Sequence, residues 1–449
     1  MKRIVILFLT LFMSVLSIQA KSVKHDFSSV IKESGVDRES VTVSIKEADS
    51  GKVVYSLNDM ILFHPASVQK IITMPIAADI LGNDYKFSTK LYKRGSEKYV
   101  VELGADPFLT SGDLKALTSK VETGVNHIYI DDSILDKKTW GEGWQWDDDL
   151  NIMMPKFGSY NLDKNLVKVT IMPSQDGRNA KVVNSSKYPF VFLSSVMTGS
   201  TTEIKVSRDN SISANTINFS GTVSRPTSIY IPINNLQRYF YIKLNQSLEN
   251  NKIYLAENFT IDTVRPNDLK VTEINHDLSS ALDEIIKNSN NLMAETVFKL
   301  SGGKYINSDG NSKHPGTDTD GIKAFDDYCK KNNLDNSRIR IVDGSGVSKN
   351  NLLSADFITE FLVLNRKNPI MGRLPQPGEG TLTHRMLPLK DNLKAKTGTL
   401  SDISSIAGYL TSKSGKKYVF CIMINDMKLS PSDKKMLEDY IIREAYLRL

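Results

Sequence analysis

The sequence predicts an α+β fold: helices around a sequential antiparallel sheet, interrupted early by inserted, β-rich modules. Three observations carry this prediction. Residues 65–82 form one strongly apolar helical stretch, and the texture changes from strand-and-turn to helical after about residue 270. Three strand-like segments joined by short polar turns then precede a last helix. At 449 residues the chain exceeds what one core holds and suits two or three domains.

Residues 1–20 read as a secretory signal peptide. Lys2 and Arg3 are basic, Ile4 to Ile18 are almost all apolar, and Ala20 offers a small cleavage residue. An uncleaved anchor is the alternative, but the apolar run is short and early for a span. Residues 21–88 open the principal domain. Within them Pro65 fits a helix start and Gly82 its stop. The stretch between is apolar on nearly every side, which places the helix centrally in a core. Pro75 inside it predicts a bend, or a cost of about 3 kcal/mol offset by packing.

Residues 89–269 read as insertions, with a third, strand-rich domain at about 165–232 nested in a second. Segments 167–172 and 229–233 alternate apolar and polar residues between Gly, Asn, Ser and Asp clusters. Segment 234–247 is helix-like, with Leu236, Tyr239, Phe240 and Leu244 toward one face, and 253–263 is strand-like. Residues 270–449 complete the principal domain. Helices are predicted over 278–288, 292–301, 321–332 and 355–366, strands over 393–399, 404–411 and 417–425, and a final helix over 432–449.

A formal net charge of +6, with Lys2 and Arg3 included, is too mild for a nucleic-acid binder and permits residence near anionic polymer. The final helix reads as packing on the sheet, so no stable membrane anchor is expected after signal cleavage. The only cysteines, Cys329 and Cys421, read as buried small hydrophobes; whether they pair is left open. Six scattered histidines show no paired spacing, so neither a metal nor a cofactor is expected.

Three short motifs carry the chemistry. Ser67-Val68-Gln69-Lys70 sets a hydroxyl and an amine one helical turn apart on one face. Burial, helped by a nearby cation at Lys396, would depress the Lys70 pKa and let it take the Ser67 proton. Ser289-Asn290-Asn291 adds a hydroxyl to relay a proton and an amide, Asn291, to hold a substrate amide; in isolation it is an ordinary helix cap. Lys396-Thr397-Gly398 opens a strand whose Gly398 admits a close backbone, so a peptide can add alongside. Lys396 and the Thr397 hydroxyl suit a terminal carboxylate, and the N–H groups of Thr399 and Ser67 suit an oxyanion. Alone, that motif is equally an edge strand guarded by lysine. The ordered trio is the signature of serine β-lactamases and penicillin-binding proteins.

With these motifs placed, the chain resembles the low-molecular-mass class C penicillin-binding proteins, D-alanyl-D-alanine carboxypeptidases that also act as endopeptidases. The likeness extends to Pro65-Ala66 before the first motif and to Leu292-Met293-Ala294-Glu295-Thr296-Val297-Phe298 after the second. It also includes Asp343-Gly344-Ser345-Gly346-Val347-Ser348, Gly378-Glu379-Gly380-Thr381-Leu382, Gly104-Ala105-Asp106-Pro107 and Gly143-Trp144-Gln145-Trp146-Asp147-Asp148. The resemblance implies a penicillin-binding protein/serine β-lactamase-like catalytic domain with two nested insertions. It further implies an acyl-enzyme on Ser67, peptidoglycan stem peptides as substrate, and β-lactams as covalent inhibitors.

Two positions depart from the family pattern. Asn290 stands where Asp is frequent, and Lys349 where Arg is frequent. If that second position grips a diaminopimelate carboxylate, lysine offers a point charge in place of a fork. Asp148 is a candidate for the amine of the same substrate residue, or else a solvated turn acid. A β-lactamase and a catalytically idle wall-binding protein are the alternative functions.

Overall fold

The computed structural model describes residues 27–449 except 176, 212, 256–258 and 310–313; the signal-like segment lies outside the described residues. The central sheet has five antiparallel strands in the order Leu393–Thr399, Ile403–Thr411, Lys417–Asn425, Val41–Glu47, Val53–Leu57. The last three strands of the chain lie where the sequence places them. The two N-terminal strands were not anticipated. Val41–Glu47 does alternate, with Val41, Val43 and Ile45 apolar and Thr42, Ser44 and Lys46 polar, so its two-residue period was present in the sequence although nearly the whole strand is buried. It lies against Lys417–Asn425, with Val41 opposite Ile424 and Glu47 opposite Tyr418.

Alternating side chains send the sheet's apolar residues to two cores. On one face Ile406, Leu410 and Ile422 meet Leu437, Ile441 and Ile442 of the last helix, Pro431–Arg448. On the other, Ala407, Val419, Cys421 and Met423 join the helices Lys70–Leu81, Leu278–Asn288, Asn291–Ile306 and Ala355–Leu364. Lys70–Leu81 is buried over almost every residue, as its all-round apolarity predicts. It runs through Pro75 as one element, between the buried Met74 and Ile76. Ser67, however, stands in a separate 3-10 turn, Ala66–Gln69, ahead of the α-helix.

A second five-stranded sheet runs in the order Phe259–Ile261, His127–Asp131, Lys98–Glu102, Lys86–Arg94, Leu269–Asp277. The strands Lys86–Arg94 and Leu269–Asp277 pair antiparallel. Residues 166–232 form two further sheets of three strands each. Leu91, Val101, Ile128, Ile171, Phe219 and Phe240 belong to one apolar cluster that these sheets share. Within 253–263 only Phe259–Ile261 is strand among the described residues. A helix at Ser111–Thr118 was missed, although Thr110 and Asp113 form its capping box. Both cysteines are free and buried, Cys329 on the helix Asp318–Lys331 and Cys421 in the central sheet. Burial pushes the Cys329 thiol up to about 12.

Candidate active site

Ala66 is forced to a positive φ of 47° as the chain turns into the Ala66–Gln69 turn. Two glycines make room for that turn. A Cβ on Gly346 (φ 81°) would lie 2.0 Å from the Ala66 carbonyl oxygen, and a Cβ on Gly398 would lie 2.9 Å from Ser67 N. Gly398 therefore makes room for the Ser405 hydroxyl and for the nucleophile's own backbone. Ser405 Oγ ties the arrangement down by donating to the Pro65 carbonyl at 2.6 Å.

Lys70, fully buried, sets its Nζ at 2.8 Å from Ser67 Oγ, 2.7 Å from Asn291 Oδ1 and 2.8 Å from the Ser345 carbonyl oxygen. The Asn291 amide is oriented by its Nδ2, which donates to the Met153 carbonyl at 2.9 Å. Asn291 Oδ1 and Ser345 O can only accept. A neutral amine must therefore donate to both and aim its lone pair at Ser67 Oγ. Burial lowers the Lys70 pKa to about 7, against the opposing pull of Glu295 and Asp343.

The expected help from Lys396 falls the other way. Lys396 is itself driven well below the lysine range, by burial first and by Lys70 second. Its Nζ sits 2.9 Å from Ser289 Oγ and 2.8 Å from the Thr397 carbonyl oxygen. Lys396 thus touches the Ser289 hydroxyl and is shielded from the open cleft.

Ser289 adopts the left-handed conformation (φ 62°) between two helices, and Asn290 is the true cap, accepting from Met293 N–H at 3.0 Å. That explains the tolerance for Asn at the motif's middle position, since Asn and Asp cap equally well. Asn290→Asp is expected to leave stability unchanged, whereas Asn290→Ala costs about 1 kcal/mol in urea denaturation.

The strand Leu393–Thr399 is the sheet's free edge. Ala395 N–H points away from the sheet, donating to the Pro375 carbonyl at 3.0 Å. By the strand's alternation the N–H groups of Thr397 and Thr399 face the same outer side. Thr397 Oγ1 reaches Thr381 Oγ1 at 2.7 Å. Ser67, Ser289, Asn291, Thr381, Thr397 and Thr399 line one cleft of about 270 Å³, closed on another side by Asn151, Met153 and Met154.

Asp148 and Lys349 are not among the residues lining this cleft. Lys349 Nζ is held 3.0 Å from Asp402 Oδ1, and Asp148 feels the charge of Lys349. Burial and the neighbouring Asp147 raise the Asp148 pKa. Asp402, Thr381 and the buried acids Glu295 and Asp343 were missed as site residues. Glu295, an acid in the apolar run 292–298, was the one legible signal, because a buried charge demands partners. Among the described residues no His, Cys, Asp and Glu group could hold a metal.

A serine–lysine pair at the head of a buried helix, beside a free sheet edge, defines a serine acyl-transfer enzyme of the penicillin-binding fold. The chain belongs to the D-Ala-D-Ala carboxypeptidase 3 (S13) family, whose model matches residues 23–445. It is 24% identical over 434 residues to a D-alanyl-D-alanine carboxypeptidase of Actinomadura sp. (strain R39), covering 88% of this chain and 79% of that one. It is 23% identical over 427 residues to the D-alanyl-D-alanine carboxypeptidase DacB of Haemophilus influenzae, covering 87% and 86%. The crystal structure of penicillin binding protein 4 (dacB) from Haemophilus influenzae superposes with a TM-score of 0.79 at 22% identity, covering 91% of this chain and 96% of that one. The enzyme is a serine-type D-Ala-D-Ala carboxypeptidase of that family.

Proposed function

We propose that Ser67 attacks the carbonyl of the penultimate D-Ala in peptidoglycan stem peptides, with neutral Lys70 taking its proton. The carrying observation is the aim of Lys70: two acceptor-only partners leave its lone pair only the serine. The substrate backbone lies along the outer edge of Leu393–Thr399, its oxyanion between the N–H groups of Ser67 and Thr399. Thr397 Oγ1, beside Thr381, receives the terminal carboxylate, with Lys396 behind it donating to the Ser289 hydroxyl. Ser289 relays to the leaving amine the proton that Lys70 took from Ser67, which restores both hydroxyl and neutral amine, and water releases the acyl group. Asn291 steadies Lys70 through its Oδ1, and its Nδ2, with one hydrogen on the Met153 carbonyl, keeps a second for substrate.

Asp148 and Lys349, close enough to feel each other's charge, suit the ends of a zwitterionic side chain, with Asp402 competing for Lys349. The same acyl-enzyme serves cleavage of a cross-bridge, and the neighbouring relatives include a penicillin binding protein complexed with a β-lactam. An extracytoplasmic, periplasmic site of action rests on the signal-like residues 1–20. No helix among the described residues is long and apolar enough to cross a membrane. We read residues 21–88 with 270–449 as the catalytic unit and 89–269 as its inserted modules, supported by the side-by-side strands Lys86–Arg94 and Leu269–Asp277.

Digestion of purified muropeptides, with products weighed by mass spectrometry, tests the reading. Pentapeptide monomers should lose one D-Ala and cross-linked dimers should fall to monomers. Intact monomers and dimers would reject it, and loss from monomers alone would confine the enzyme to carboxypeptidase action.

A further inference from the structure

Behind the serine–lysine pair lies a buried acid that the acylation step itself does not touch. Asp343 accepts five hydrogen bonds. Its Oδ1 takes Gly346 N–H at 2.8 Å, Asn351 Nδ2 at 2.8 Å and Gln69 Nε2 at 3.2 Å. Its Oδ2 takes Ser348 N–H at 2.7 Å and Trp144 Nε1 at 2.9 Å. With five donors and acceptor roles only, both oxygens behave as those of an ionised carboxylate.

The Gly346 N–H and the Ser345 carbonyl belong to one peptide group. Asp343 binds its N–H end, and Lys70 Nζ binds its oxygen end. A carboxylate on the N–H shifts electron density toward the oxygen and makes it a stronger acceptor for the lysine. The same carboxylate holds Gln69, the residue before Lys70, and Trp144 from the inserted region. Gly346 cannot be replaced in this seat, since its Cβ would meet the Ala66 carbonyl.

We infer that Asp343 is a positioning residue that sets the proton affinity of Lys70 through the Ser345–Gly346 peptide, and that Trp144 tunes it by sharing the carboxylate. The inference rests on the Ser67–Lys70 assignment. The other charged groups facing Lys70 are Glu295, from the helix Asn291–Ile306, and Lys396, from the edge strand. Glu295 binds the preceding turn, accepting from Gly344 N–H at 3.0 Å and Ser345 N–H at 2.8 Å. Burial first, then Asp343 and Asp318, raise its pKa to about 8, against the hydrogen bonds from Ser345 and Gly344.

The test is the pH dependence of acylation by a fluorescent penicillin, between pH 5 and 10. Asp343→Asn removes the anion that favours protonated Lys70, so the rising limb moves down by about one pH unit. A limb that stays put while the plateau falls would mark a purely structural role and overturn the inference. So would a limb that climbs, the mark of water reaching a loosened Lys70. Trp144→Phe keeps the ring and removes one donor, concentrating charge on the carboxylate; its limb should rise by a few tenths of a pH unit. If Asp343→Asn does not fold, an unmoved limb in Trp144→Phe overturns the inference alone. Wild-type protein that never labels would overturn the Ser67 assignment and this inference with it.

Discussion

Ser67→Ala lowers acylation by a fluorescent penicillin, and release of D-Ala from pentapeptide, by roughly 10⁴-fold or more. The loss is this large because no neighbouring group replaces the hydroxyl. Ser289 Oγ is engaged by Lys396, and Thr397 Oγ1 by Thr381. The fold should not suffer. Ser67 is only partly buried and its side chain closes no core cavity, so the melting temperature stays within a few degrees of wild type. Gel fluorescence and a thermal melt on the same preparation measure both quantities. Labelling retained within tenfold of wild type would remove Ser67 from the mechanism.

The second large effect belongs to Lys70. Only its neutral form has a lone pair, so acylation must rise with pH as the ammonium deprotonates. With the Lys70 pKa lowered to about 7, half of the molecules are competent near neutrality. The competent fraction falls roughly tenfold for each pH unit below that point. Lys70→Arg holds a proton at every accessible pH and should lose about 10³-fold at all of them. Acylation rates measured across the pH range, for wild type and variant, decide this. A flat wild-type profile, or one whose midpoint sits near 10, would show that Lys70 is not the base.

The sequence made the chemistry more legible than the architecture around it, for physical reasons. Catalytic side chains are read as types at fixed spacings, so Ser67, Lys70, Ser289, Asn291 and Thr397 could be named without knowing what surrounds them. The final strands and helices were equally plain because short polar turns separate them and their periods are unmixed. The strand Val41–Glu47 carried a legible two-residue alternation that went unread, but not that Thr42, Ser44 and Lys46 on its polar side are buried as well. What no residue pattern revealed were the backbone partners. The carbonyls of Ser345 and Met153 fix Lys70 and Asn291, yet a main-chain oxygen carries no signature of its own. Direction of influence was also hidden. Two lysines near one another announce repulsion, but burial is the larger cause of the lowered pKa at both, and Lys70 is the charge that depresses Lys396.

The central sheet is stitched from opposite ends of the chain, with Val41 facing Ile424 across one ladder. A nascent polypeptide ending before residue 390 therefore owns the serine and its base but has no docking ledge for a peptide and no amine behind Ser289. Joining strands so distant along the chain is slow, because loop closure must come before the contacts that reward it. Competence thus arrives last, when the C-terminal strands settle beside the first, and every shorter chain stays silent toward the wall it is built to cut.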